Sequence, residues 1–329
     1  MLLLLLAAAV FTFMINTGMG SVRIPLREVA EIIIDAEAGE QVHSSIIWNI
    51  RLPRVLAALV GGAALSVAGL LLQIFFRNPI IGPFILGVSN GATLFVGMIM
   101  LAGFSFGFGS PGPRLLFLAA FLGSMLVMLV VLAVSTRVKN VAILLVVGLM
   151  VGYVARAVTN ILIALAEQEE VHGFTLWRLG SFSGFTWQQV NLLLIIGIPL
   201  LLAAFLLGKP LNALHLGEKY ALSLGVNIKA IRMLIVVFSS LLAGLVTAFA
   251  GPVAFVGLAV PHMTRLSFGT SDSRILIPGV ILMGAVVTGL CDLGARLILS
   301  PVELPISAVT SLFGAPIVIY LLLKRRTDL

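Results

Sequence analysis

LLFLAAFLGSMLVMLVVLAV, residues 115–134, runs for twenty positions without a charge, a proline or a period-two alternation. A helix needs about 20 mostly apolar residues to cross the hydrocarbon core of a bilayer. Only helices and closed barrels satisfy their own backbone there. Strands of a barrel would alternate apolar and polar residues, and this run is apolar throughout, so it reads as a membrane-spanning helix. The rest of the chain agrees. Hydrophobic residues make up 60% of the 329 positions and charged residues only 10%, with a mean hydropathy of +1.19. A soluble domain carries roughly a quarter of its residues charged, so this chain lacks the means to cover a water-facing surface.

Working outward from 115–134, spans are expected near 2–18, 54–76, 85–103, 114–135, 141–166, 190–207, 229–250, 254–268, 275–298 and 306–323. The fold class is therefore an all-α polytopic membrane protein of about ten transmembrane helices. MLLLLLAAAVFTFMI lacks a preceding basic residue and a small-residue cleavage site, so it reads as the first span rather than a signal peptide. If the N-terminus is cytoplasmic, basic residues divide twelve inside to seven outside, with Arg156 within a span. Basic residues favour the cytoplasmic side, which places both termini there. The net charge of +7 is then mostly topology, and gives no reason to invoke nucleic acid.

A weak internal repeat is visible. Ala68-Gly69-Leu70 leads to Asn78-Pro79 and a stretch holding Gly82, Pro83, Gly87 and Gly91; Ala243-Gly244-Leu245 leads to Gly251-Pro252, Gly257 and Pro261. The offset is 175 residues, and five spans separate the copies. An odd number inverts the second copy, giving an inverted five-helix repeat of the kind many transporters use. The broken stretches 78–91 and 251–262 are pathway candidates, because irregular backbone at membrane depth lines water or lies inside protein. Close helix packing through small residues is the other reading.

Catalytic signatures are missing. Gly208-Lys209 is followed by proline and lacks the spacing of a phosphate-binding loop. His43, His172, His215 and His262 show no metal-ligand pattern, and Cys291 has no base near it in sequence and reads as a buried thiol. The segment from Lys209 to Arg232, LNALHLGEKYALSLGVNIKAIR at its heart, is polar and too long for a mere connector. It is either a knob offered to a soluble partner or a solvated surface helix.

Several strings, in order, resemble the FecCD-type permeases of ABC importers for iron-siderophores, haem and vitamin B12. They are GSVRIPLREV (20–29), IRLPRVLAALVGGAAL (50–65), FRNPIIGPFILGVSNGA (76–92), WRLGSFSG (177–184), LGEKYALSLGVN (216–227), AGPVAFVGLAVPHMTRL (250–266) and ELPISAVTSLFGAPIVIYLLL (303–323). The resemblance implies one transmembrane permease domain over 1–329, with a cytoplasmic coupling segment at 209–232. It implies a homodimer in the bacterial inner membrane, with the pathway between the copies. Two copies of an ATP-binding-cassette ATPase would sit on its inner face and one substrate-binding protein on its outer face. ATP would be hydrolysed by the partner; this chain would bind no cofactor and no metal and would not be an enzyme.

Residue by residue, Leu216, Gly217, Glu218, Ala221, Leu224 and Gly225 match the ATPase-coupling segment. Arg51, Arg54 and Arg296 match outer arginines that meet acids on the binding protein, or else snorkel at the interface. Asn140, Val141 and Ala142 fall at the family's cytoplasmic gate. Three departures stand out: Asp272-Ser273-Arg274 where the family has Asp-His-Arg, Arg178 where Leu or Met is usual, and Arg156 where a small residue is usual. A charge within a span is a functional candidate by default. Arg156 is expected either to pair with Asp292 or to touch cargo. Arg178, at the pathway mouth, is expected either to pair with Glu167, Glu169 or Glu170 or to favour an anionic cargo. The rival classes are an ion-driven secondary transporter, which would need a midplane ion site, and an intramembrane enzyme, which would need a nucleophile and base.

Overall fold

The computed structural model describes residues 1–20, 22, 24–35, 40–102, 112–135, 137–138 and 141–327, apart from the side chains of 26, 102, 141, 142 and 320–327. All its regular elements are helical: α1 (Leu2–Gly18), α2 (Leu26–Ile34), α3 (Gln41–Ile46), α4 (Leu52–Phe75), α5 (Val88–Ala102), α6 (Pro113–Ser135), α7 (Val141–Leu165), α8 (Gln168–Leu179), α9 (Trp187–Leu206), α10 (Gly208–Leu216), α11 (Glu218–Ser223), α12 (Ile228–Ala250), α13 (Val256–Phe268), α14 (Ser273–Leu297) and α15 (Ile306–Thr327). A π-helical turn over Ile47–Arg51 joins α3 to α4. Among the described residues, six helices are long and apolar enough to cross a membrane by length and composition, starting at Gln41, Pro113, Ile143, Trp187, Ile228 and Ser273. Leu2–Gly18, Val88–Leu101 and Ile306–Ile319 are shorter apolar helices.

The centre is α4. Its sequence is apolar on every side, the pattern of a helix surrounded by protein, and 83% of its apolar window is buried. It packs against α14, α12, α13 and α9. The closest approach is to the start of α13, where a Cβ on Gly69 would lie 1.7 Å from the Gly257 carbonyl oxygen. Small residues thus substitute for a hydrophobic driving force that lipid cannot supply between helices. α7 is the opposite case. Only 22% of its window is buried, and Tyr153, Val154 and Ile161 are each more than half exposed.

Two regions between the expected spans are themselves helical. The 19–53 stretch carries α2 and α3, and Ile24, Val29, Ile32, Ile47 and Leu52 form a separate small core there. Trp48 Nε1 donates to the Ile32 carbonyl at 3.2 Å, and Trp187 Nε1 to the Trp48 carbonyl at 2.8 Å. In the 209–232 segment, α10 is docked rather than solvated. The Asn212 amide donates to Asp272 Oδ1 at 2.6 Å, and the Ser273 N–H donates back to Asn212 Oδ1 at 2.7 Å.

Candidate functional site

Both broken stretches survive as irregular backbone. Residues 76–87 form turns before α5 begins at Val88, and residues 251–254 have no regular structure before α13 begins at Val256. They meet each other: Leu65, Gly82, Pro83, Phe84, Ile85, Val253, Phe255, Gly257 and Leu258 enclose an apolar cavity of about 170 Å³. Phe84, Pro252, Ala254 and Phe255 also wall a second cavity of about 380 Å³, completed by Asn90, Thr93, Arg156, Thr159, Arg178, Ser307, Ala308 and Ser311. Close packing is seen at Gly69–Gly257, and the cavities lie a few residues away.

Each side of the larger cavity has a local cause. Gly148 and Gly152 let α7 lie against Leu86, Gly87 and Asn90. One turn beyond Gly152, Arg156 faces the cavity beside Thr159. Arg178 ends α8, whose C-terminus is pinned from three sides. Trp177 Nε1 donates to the Ala248 carbonyl at 3.1 Å, the Ser181 N–H to the Ala250 carbonyl at 2.9 Å, and the Ile306 N–H to the Gly180 carbonyl at 3.0 Å. The Trp177 ring stacks on the buried Phe174 at 5.5 Å.

Most of the expected local partners of these arginines are engaged elsewhere. Asp292 is held by Arg54, whose Nε lies 3.1 Å from both carboxylate oxygens, and Arg296 Nε lies 3.4 Å from Oδ2. Pairing of Arg156 with Asp292 is thereby corrected. Glu167 and Glu170 are spent on the capping box that starts α8. Among the described residues neither Arg156 nor Arg178 has an ion-pair partner.

Arg51, Arg54 and Arg296 lie together at the N-terminal end of α4, but inside the protein. Arg51 is 4% and Arg54 6% exposed. Arg51 donates to the carbonyls of Thr17 and Gly18 at 2.8 Å each and to that of Val22. Arg54 Nη1 donates to Glu303 Oε1 at 2.6 Å, and Arg296 Nη2 donates to Asn16 Oδ1 at 2.6 Å. The acid that an ion-driven transporter would use is thus neutralised by two guanidiniums.

At the other end of α4, the segment over α10 and α11 presents several apolar side chains outward. Leu216 is 70%, Leu222 60% and Leu224 59% exposed, whereas Ala221 is fully buried. Gly217 and Gly225 bend the chain with φ of 134° and 77°. Glu218 accepts from Arg232 at 2.6 Å and lies 3.9 Å from Arg77, tying α11 to the ends of α12 and α4. His215, beside this cluster, titrates below the usual histidine range, because burial and then the Arg265 and Arg77 charges disfavour its cation. Asp272, which caps α14, is held below the ordinary carboxylate range by the Asn212 amide and then by the Arg274 N–H. Asn140 lies outside the described residues, as do the side chains of Val141 and Ala142, which open α7.

Three participants escaped the sequence reading. Phe255 walls the cavities and has φ 65°, a conformation a non-glycine residue adopts at a cost of about 1–3 kcal/mol. Glycine is what usually announces such a position, so nothing in the sequence marked it. Glu303, the second acid on Arg54, and Asn90, which lines the larger cavity together with Arg156, carried no signal either.

Comparison with known proteins bears on the same residues. The profile of the FecCD transport family matches residues 6–324. The vitamin B12 import system permease protein BtuC of Salmonella paratyphi A is 39% identical over 278 residues, covering 84% of this chain and 83% of that protein. The protein of the same name from Salmonella typhimurium matches to the same extent. A solved inward-facing structure assigned to a metal-chelate type ABC transporter superposes with a TM-score of 0.84 at 29% identity, over 98% of each chain. PsaBC from Streptococcus pneumoniae in complex with Fab superposes with a TM-score of 0.57 at 15% identity, over 89% of this chain and 95% of that one, a likeness of fold alone. A chain matched by this family over nearly its whole length, with membrane-length apolar helices and no ATPase chemistry of its own, belongs to the FecCD transport family and is the permease subunit of an ATP-binding-cassette importer.

Proposed function

We propose that this permease passes a metal chelate such as haem, a ferric siderophore or cobalamin into the cytoplasm. In this reading it works as a homodimer in the bacterial inner membrane, with two ATPase copies on its inner face and one substrate-binding protein outside. The observation that carries the reading is the pair of broken stretches walling one cavity beside the exposed face of α7. A second copy covering that face would close the pathway. Ten spans in two inverted halves are supported by reciprocal packing: α4 of the first half lies against α14 of the second, while α12 of the second lies against α6 of the first. Both termini would then be cytoplasmic.

The coupling role is proposed for Leu216, Gly217, Glu218, Ala221, Leu224 and Gly225. Their exposed leucines would enter a cleft of the ATPase, while buried Ala221 and the Glu218–Arg232 pair hold the piece to the bundle. Docking of the binding protein is proposed at the end where Arg51, Arg54 and Arg296 gather. Their guanidiniums are taken internally, so a partner's carboxylate would have to displace Glu303 from Arg54. Asn140, Val141 and Ala142 are retained as the proposed gate.

The test is co-purification and uptake. The chain expressed with its ATPase and binding protein should bring the ATPase down and import chelated iron into vesicles. Leu224→Glu should abolish uptake while the protein still inserts, since interface anchors typically cost about 2 kcal/mol or more when disrupted. Unchanged ATPase capture and unchanged uptake in that variant would remove the coupling assignment.

A further inference from the structure

The larger cavity has a charge that its surroundings do not balance. Two guanidiniums, Arg156 and Arg178, line it, and no carboxylate does. The hydroxyls around it are already committed as donors to the backbone: Thr93 to the Ser89 carbonyl at 2.8 Å, Thr159 to that of Ala155 at 2.9 Å, and Ser311 to that of Ser307 at 2.6 Å. The donors left for a ligand are therefore the two guanidinium forks and the Asn90 amide. Arg156 sits nine residues inside the C-terminal end of α7, about 14 Å at 1.5 Å per residue, well within the apolar part of the helix. A charge at that depth faces a bundle interior or a water-filled path and requires a counter-charge. The chain supplies none among its described residues. Phe84, Pro252, Ala254 and Phe255 add apolar surface to the same cavity.

We infer that this cavity is a selective site for an anionic metal chelate, one whose carboxylate or catecholate oxygens are gripped by Arg156 and Arg178 while its organic framework lies on Phe84 and Phe255. The inference rests on the reading of the chain as a chelate importer and adds the charge of the cargo. Arginine stays charged at any accessible pH and offers a planar fork that fits two oxygens at once. Bonds from such forks to an ionised acceptor are roughly twice as strong as neutral ones. The same grip would also fit the phosphate of an anionic lipid resting against α7, so the experiment has to separate the two.

The full chain is placed in nanodiscs of phosphatidylcholine alone and dialysed against two radioactive-iron probes, an anionic ferric tricatecholate and a neutral ferric trihydroxamate. The anionic chelate should bind at least about tenfold more tightly, and its affinity should fall as salt rises. Arg156→Gln and Arg178→Gln should each weaken it about tenfold, the loss of one charge-assisted contact, and leave the neutral probe unmoved. Arg178→Lys should recover part of that loss, since it keeps the charge without the fork. Equal binding of the two probes, or wild-type binding by the double Gln variant, would overturn the inference. So would loss of anionic-chelate binding once phosphatidylglycerol replaces part of the bilayer, which would assign the site to lipid. In vesicles with ATPase and binding protein, uptake of the neutral chelate alone would refute the anion site and leave the importer reading standing. Uptake of neither chelate would overturn the anion site, and the importer reading would fall with it only if haem and cobalamin also stayed outside.

Discussion

The arginines at the end of α4 and the arginines of the larger cavity invert what their positions suggest. Arg51, Arg54 and Arg296 stand at span ends, where a basic side chain can reach water or a partner, yet their side chains are largely enclosed and engage Asp292, Glu303, Asn16 and backbone carbonyls. Arg156 lies deep in a span and Arg178 beside a cluster of acids, yet both are exposed in the isolated chain and line a cavity without an acid. The first set is structural charge, satisfied by elements far apart in sequence. The second is charge held ready. A buried pair costs little while intact and a great deal when halved, whereas an unpaired arginine on a cavity wall contributes almost nothing to folding. The two sets should separate cleanly in stability measurements and separate the other way in binding.

The largest effect expected is for Asp292→Ala. It would leave Arg54 and Arg296 facing each other without their shared carboxylate, and breaking a buried pair in this way costs about 3–5 kcal/mol. Thermal unfolding in detergent should show it. Arg178→Leu, restoring a residue typical of the family, should change stability by no more than about 0.5 kcal/mol. Should the two variants unfold alike, the distinction between structural and held-ready arginines fails. A smaller, sharper number comes from double-mutant cycles. Arg54 and Asp292 should couple by about 1–3 kcal/mol, while Arg178 and Glu170 should be additive within about 0.5 kcal/mol. Coupling of that size between Arg178 and Glu170 would restore the local-pair account and weaken the case for a ligand.

The long apolar helices were legible because each one announces itself within its own stretch of about twenty residues. Every expected span position carries a helix, and the broken stretches were marked by Gly and Pro at 78–91 and 251–262. The meeting of those stretches around a cavity was legible only as a possibility, since glycine serves close packing and open pathways equally. What could not be read was pairing across the bundle. Arg54 and Asp292 are 238 residues apart, and the sequence offered Asp292 to Arg156 on depth alone. The same limit hid Glu303 and the left-handed Phe255. It also hid the docking of α10 by Asn212 and Asp272, which turned an apparent loop into a packed element.

The smallest effect concerns a third kind of arginine, and it decides what the first two mean. Arg27 pairs with Glu31 one turn along α2 at 2.9 Å, with side chains 91% and 52% exposed. It is therefore partnered like Arg54 and open like Arg178. If partnership alone made an arginine structural, Arg27→Ala would destabilise the protein on the scale of Asp292→Ala. If burial is what matters, water already solvates both charges and the pair adds little, typically about 0.3–0.5 kcal/mol for an i,i+4 contact on a helix. Raising the salt should erase even that, because exposed charges are screened within about 8 Å at physiological ionic strength. The Arg54–Asp292 pair, shielded by protein, should keep its coupling under the same salt. Arg27→Ala should accordingly leave the unfolding midpoint almost unmoved in low salt and indistinguishable from wild type in high salt. A loss approaching that of Asp292→Ala would mean that pairing outweighs burial here. Arg156 and Arg178 would then have to be reread as arginines whose partners are absent from an isolated chain, rather than as a site waiting for an anion.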